Sequence, residues 1–120
     1  MTTARRARGD AEEAAARALL ERAGLRVLAT NVQCRHGEID LVLRDGEVIV
    51  FCEVRYRAAD GHGGAAASVD ARKQARIVAA ARWFLAIQPR HANDPCRFDV
   101  VAIDGDAAPR WIKDAFRLAD

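Results

Sequence analysis

Two acidic residues set into apolar runs are the first places in this chain where chemistry could sit. Successive side chains on a β-strand alternate faces. In the run from Glu38 to Leu43, Glu38, Asp40 and Val42 should therefore share one face, with Ile39, Leu41 and Leu43 on the other. In the next run Val48, Val50, Cys52, Val54 and Tyr56 take one face, and Ile49, Phe51, Glu53, Arg55 and Arg57 the opposite one. A carboxylate two residues after Phe51 in such a run is costly to desolvate alone and is expected only with a partner or a cation. Asp45-Gly46 between the runs signals a tight hairpin. That hairpin lets Asp40 and Glu53 meet if the register puts them on neighbouring rungs. Converging carboxylates suit a hard cation, Mg²⁺ or Mn²⁺. Arg55 would add positive charge toward an anion held there, and Lys73 could reach the same region from a helix. The plainer alternative is a set of solvated ion pairs among Glu38, Asp40, Glu53, Arg55 and Arg57 on an exposed face. The apolar run Val48 to Val54 argues against full exposure.

The elements that must position these residues follow from periodicity and punctuation. Asp10 to Ala23 reads as a helix, with Ala16, Leu19, Leu20 and Ala23 at helical spacing, Asp10 as N-cap, Glu13 in the capping-box position and Gly24 at the end. Leu25 to Val32 reads as a short strand, followed by a polar stretch, Gln33 to Gly37, and then the hairpin. Ala58 to Ala67 has the composition of a mobile loop. A second helix runs from Ser68 to about Ile87, capped by Ser68 or Asp70, striped by Ile77, Val78, Ala81, Phe84 and Leu85, and stopped by Pro89. Cys96 to Asp104 is another strand, and Arg110 to Leu118 has no assignable type. A helix between the third and fourth strands implies a crossover and a parallel pair in a mixed sheet. The outline is an α/β sandwich.

Gly37-Glu38-Ile39-Asp40-Leu41, a gap of twelve residues from Asp40 to Glu53, and Phe51-Cys52-Glu53-Val54-Arg55 resemble the second and third motifs of a (D/E)XK nuclease site. Gly9 through Glu13, Gly24, Asn31, Lys73 and Arg97-Phe98-Asp99-Val100 extend the likeness over nearly the whole chain, in the version seen in the YraN-like bacterial family. The resemblance implies a restriction-endonuclease-like αβββαβ sandwich, resolvase-like, with a central mixed sheet. It also implies that Asp40 and Glu53 are metal ligands, Glu13 an additional acid and Glu38 a helper. Arg55 stands where the superfamily pattern has lysine, and Lys73 is the residue that could compensate. Glu13 has its capping-box reading beside the acid one, and Asp99 is expected to be structural. The implied activity is metal-dependent hydrolysis of phosphodiester bonds in DNA, including branched DNA. The rival is a non-catalytic nucleic-acid-binding module with a basic groove of Arg55, Arg57, Arg72, Lys73 and Arg76.

Composition bounds the rest. A chain of 120 residues with 51% hydrophobic content suits one domain spanning 1–120, with 1–8 and 119–120 as flexible ends. No apolar run approaches the ~18 residues of a membrane span, and the charged start is unlike a signal peptide. A cytoplasmic protein with no membrane partner is expected. Cys34, Cys52 and Cys96 are then free thiols, and Cys34-x-His36 is too tight for ordinary zinc spacing. Lys73 and Lys113 are the only lysines among many arginines; this suits phosphate, although GC-rich codon usage is a sufficient cause and composition alone supports nucleic acid only weakly. His62 and His91 read as surface loop histidines, and Trp83 and Trp111 as core or edge packing. Cutting both strands of a duplex would favour a homodimer.

Overall fold

A computed structural model describes residues 4–58 and 64–117. The first helix, α1 (Ala4–Arg22), begins ahead of the expected start at Asp10. Ala4 to Arg8 are strong helix formers and carry the helix through Gly9, so Asp10 is interior and caps nothing. The flexible start expected at 1–8 is thus helical from Ala4, and residues 1–3 and 119–120 lie outside the described residues. Gly24, at φ 97°, ends the helix as its position suggested, and Leu25 N–H closes back on the Leu20 carbonyl at 3.1 Å.

Three antiparallel strands follow: β1 (Arg26–Cys34), β2 (Gly37–Asp45) and β3 (Val48–Arg57). Gly46 and Glu47 turn the second hairpin, one residue later than the expected Asp45-Gly46 loop, because Asp45 stays in β2 and pairs with Val48 while Gly46 adopts φ 61°. β1 runs two residues further than expected, because Gln33 and Cys34 pair with Glu38 and Gly37 rather than forming a turn. The chain then crosses over through α2 (Gly64–Ala67) and α3 (Ala71–Ile87) to β4 (Cys96–Asp104), which pairs parallel to β3. Of the loop expected at Ala58 to Ala67, residues 59–63, His62 among them, lie outside the described residues, and 64–67 form the turn of helix α2. The stretch after Gly105 resolves as β5 (Arg110–Phe116), antiparallel to β4. The sheet order is β1-β2-β3-β4-β5.

Both faces are covered. On one, Ala16 and Leu20 of α1 pack over Leu41, Leu43, Val50, Cys52, Val101 and Ile103. On the other, Ile77, Ala80, Ala81 and Phe84 of α3 pack over Val42, Ile49, Phe51, Val100 and Ala102. Burial on both sides explains why β2 to β4 read as near-continuous apolar runs. The result is the expected α/β class, a restriction-endonuclease-like sandwich with a mixed sheet. Asp70 is the N-cap of α3, its Oδ1 accepting from Lys73 N–H at 2.9 Å. Where α3 crosses β2, a Cβ on buried Gly37 would collide with the Arg76 carbonyl, so only glycine permits the approach. No described helix is long and apolar enough to cross a membrane.

One expectation about faces is corrected. Ile39 packs with Val42 on the α3 side, whereas Leu41 and Leu43 pack on the α1 side. Strict alternation would have grouped Ile39 with Leu41. The β1–β2 ladder pairs Thr30 with Leu41 and Val32 with Ile39 but omits the rung between, Asn31 and Asp40. Asn31, across from Asp40 on β1, has φ 50°, and the ladder shifts register between Val27 and Ala29. On β3 the expected alternation holds, with Ile49 and Phe51 on the α3 side and Val50 and Cys52 on the α1 side.

His91 is likewise not a surface residue: it is buried, stacks on Phe84 at 6.4 Å, and lies 3.2 Å from Arg44 and 3.3 Å from Asp94. Trp83, by contrast, is exposed on α3. Asp99 has the structural role expected of it. Fully buried, it accepts from Arg97, from Trp111 Nε1 at 2.9 Å and from Asp114 N–H at 2.9 Å. It thereby pins β5, whose pairing with β4 is irregular between Phe98 and Val100.

Candidate metal and phosphate site

The last regular β2–β3 rung pairs Leu41 with Cys52. Beyond it, Asp40 turns its carboxylate onto the neighbouring strand, where Oδ2 accepts from Val54 N–H at 2.8 Å. The β2–β3 ladder ends at Leu41 and Cys52, and past that end the carboxylate meets Val54 N–H. Glu53, next along β3, is only 3% exposed. Its Oε2 lies 3.1 Å from Lys73 Nζ, yet that buried oxygen has no partner in hydrogen-bond geometry. Desolvation pushes the Glu53 carboxyl up to about 9. Asp40 adds to the rise by bonding the neutral form and repelling the charged one, while the Lys73 ammonium pulls the other way and is outweighed. Asp40, Glu53 and Lys73, from three elements, are thus brought together.

Glu13, on α1, approaches Asp40 alone of the three. It shares a cleft of about 230 Å³ with Gly9, Asp10, Glu12, Asp40 and Val54. Burial and the Asp40 charge raise its carboxyl, and Asn31 Nδ2, donating to Oε1 at 3.2 Å, partly offsets them. The capping-box reading of Glu13 fails, because Asp10 lies inside the helix. Glu38 stands apart, exposed, accepting from Gln33 Nε2 across the β1–β2 ladder at 3.4 Å. Asn31 was absent from the residues given a role by sequence, and its one local signal was an asparagine within a strand.

Arg55 points away from Glu53. Its Nε donates to Ser68 Oγ at 2.8 Å. With Ser68, Asp70, Arg72, Lys73 and Arg76 it lines a cleft of about 310 Å³. Arg57, exposed near the end of β3, is not part of it. Ser68 was legible only as a cap candidate for α3. A larger groove of about 590 Å³, between α3 and β4 and β5, is apolar and includes neither Asp40 nor Glu53.

Among the described residues no three His, Cys, Asp or Glu side chains stand close enough to enclose a metal. Magnesium does not require such a cage, since it is commonly held by one or two carboxylates with water and substrate phosphate oxygens in the remaining positions. A buried carboxylate oxygen without a hydrogen bond, beside a second carboxylate, fits that donor set. Asp40 and Glu53 are the residues that could hold such an ion. Cys52 offers no nucleophile, because burial drives its thiol far up.

Comparison with known proteins agrees with the extent of the sequence likeness. The chain is 57% identical over 121 aligned residues to a UPF0102 protein of Xanthomonas campestris pv. campestris (strain B100), covering 100% of this chain and 99% of that one. It is 56% identical to a UPF0102 protein of Xylella fastidiosa (strain 9a5c), covering 97% of each. With a UPF0102 protein of Ectopseudomonas mendocina (strain ymp) the identity is 54%, over 90% of this chain and 92% of the relative. Residues 11–103, which include Glu13, Asp40, Glu53 and Lys73, match the family described as "Uncharacterised protein family UPF0102". The YraN-like resemblance is thereby borne out, and the chain belongs to family UPF0102.

Proposed function

We propose that this protein is a divalent-metal-dependent nuclease that hydrolyses phosphodiester bonds in DNA, branched DNA included. The observation that carries the reading is the buried, hydrogen-bond-deficient Glu53 carboxyl held between Asp40 and the Lys73 ammonium. Structural ion pairs are usually satisfied by hydrogen bonds, and a strongly perturbed carboxyl with unspent acceptor capacity marks a functional site. Bound Mg²⁺ or Mn²⁺ would supply activation of water and neutralisation of charge on the phosphodiester. Asp40 and Glu53 hold the ion. Val54 N–H fixes the orientation of Asp40, and Glu13 adds negative charge on the α1 side. Lys73 stands where an ammonium meets a phosphate oxygen beside the ion. It thus takes the part of the motif lysine, whose position Arg55 occupies with its side chain turned to Ser68.

Calorimetric titration with Mg²⁺ and Mn²⁺, on wild type and on an Asp40→Ala, Glu53→Ala variant, tests the reading when followed by cleavage of duplex, single-stranded and branched DNA. Cation binding and cleavage in wild type, both lost in the variant, are expected. Lys73→Ala should abolish cleavage while leaving cation binding in place; undiminished cleavage would remove Lys73 from the mechanism. No cation binding by wild type would overturn the nuclease reading. Arg55 at the lysine position then favours the second reading, a non-catalytic nucleic-acid module, which binds DNA in salt-sensitive fashion with chelator present.

A further inference from the structure

We propose that the cleft between β3 and the start of α3 is a pocket for a second phosphate of the bound strand. In this pocket Arg55 is the gripping fork and Ser68 its positioning residue. The inference rests on the phosphodiester reading and deepens it. It also accounts for arginine at a position where the superfamily pattern has lysine.

The geometry starts at the end of β4. Asp104 Oδ1 accepts from Ala65 N–H at 2.7 Å, tying α2 to the sheet. The Ala65 carbonyl accepts from Ser68 Oγ at 2.6 Å and from Ser68 N–H at 3.1 Å. A serine hydroxyl has one hydrogen. With that hydrogen spent on Ala65, Ser68 Oγ can meet Arg55 only as an acceptor, which is how the Nε bond at 2.8 Å is made. This chain of bonds holds the guanidinium by its inner nitrogen and leaves the two outer ones for a ligand; among the described residues they have no partner. Two parallel N–H donors in a plane match the oxygens of a phosphate, which lysine cannot grip in this way.

The rest of the lining agrees. Arg72 and Arg76, one turn apart on α3, are exposed and form no ion pair with any described carboxylate. Asp70, the acid in the cleft, is committed to capping Lys73 N–H. Lys73 faces Glu53 and connects the cleft to the carboxylates. Arg55 lies two residues beyond Glu53, roughly 7 Å along the strand, a separation that one nucleotide step can span. The ligand is therefore an oligonucleotide with at least two successive phosphates. A mononucleotide would fill only one of the two positions.

The test is binding of a short single-stranded oligonucleotide in EDTA at several salt concentrations, with Mn²⁺ titration of the same proteins in parallel. Ser68→Ala keeps all the charge and should bind about tenfold more weakly with the wild-type salt slope. Ser68→Thr keeps the hydroxyl and should restore affinity. Arg55→Ala should weaken binding similarly and flatten the slope by about 0.7; Arg55→Lys should restore the slope but not the affinity. All four variants should bind Mn²⁺ as wild type does. Unchanged oligonucleotide affinity in Ser68→Ala and Arg55→Ala overturns the pocket, as does failure of wild type to bind the oligonucleotide. Loss of the metal reading would instead show as absent Mn²⁺ binding in wild type, whatever the oligonucleotide results.

Discussion

Glu53 makes a buried charge conditional on a ligand. Its carboxyl is raised from the ordinary 4.5 to about 9, so the fold favours the protonated form. That contribution to stability is complete below pH 4.5 and is lost as pH rises toward about 9. Without metal, thermal stability should therefore fall from pH 5 to pH 9. Glu53→Gln, neutral at every pH and of the same shape, should flatten the decline. Because one pKa unit corresponds to about 1.4 kcal/mol, and because an amide does not reproduce every contact of the protonated acid, the gain at pH 8 should be on the order of 2 kcal/mol. Calorimetric unfolding at pH 5, 7 and 9 with chelator reads this directly; equal slopes in the two proteins would refute it. That Glu53 needs a partner was legible from its place after Phe51. That the partners are Asp40 and Lys73, the latter in an ion pair outside hydrogen-bond geometry, was not, because the three residues come from separate elements.

The decisive irregularity at the level of the strand is the missing rung at Asn31 and Asp40. Beside it Ile39 packs on the α3 face and Asp40 accepts from Val54 N–H. Asn31 serves it twice, through a left-handed backbone and through its bond to Glu13. The two functions separate by mutation. Asn31→Gly keeps the backbone freedom and loses only the side-chain bond, whereas Asn31→Ala meets strain at φ 50° and should cost about 1–2 kcal/mol more in denaturant unfolding. Similar stabilities for the two variants would show that the conformation of residue 31 is not what maintains the break. Alternation applied to Glu38 through Leu43 could not reveal the phase change, since both residue patterns consist of apolar and acidic positions. Elsewhere the element signals were sound: Asp45-Gly46 marked the hairpin to within one residue, Gly24 ended α1, and Pro89 follows the end of α3. The start of α1 was misread because Asp10 looked like a cap while Arg and Ala before it sustain the helix. β5 escaped notice because its alternation is interrupted at Asp114, at φ 52°, whose N–H is held by Asp99.

For the molecule as a whole, α1 and α3 clamp the two faces of one sheet and bring Glu13 and Lys73 to the same end of β2 and β3. An ion that binds only this assembled site must stabilise the whole fold by mass action, about 2.7 kcal/mol at a hundred times its dissociation constant. Mn²⁺ should therefore raise the melting temperature of wild type in a concentration-dependent way, more strongly at pH 8 than at pH 6, because binding displaces the proton that Glu53 holds up to about pH 9 and the displacement costs more at the lower pH. Asp40→Asn should abolish the shift, and an equal shift in that variant would place the ion elsewhere. Sequence by itself determined the elements from α1 to β4 apart from α2, the presence of the hairpin and the α/β class, and it singled out Asp40 and Glu53, because hydrophobic period, turn residues and an acid within an apolar run are local signals. Only the tertiary structure decided that Arg55 faces Ser68 while Lys73 faces Glu53, that Glu38 stays outside, and that Asn31 and Ser68 matter. Those choices depend on side-chain direction and on contacts between segments far apart in the chain, where spacing along a single strand or helix carries no information.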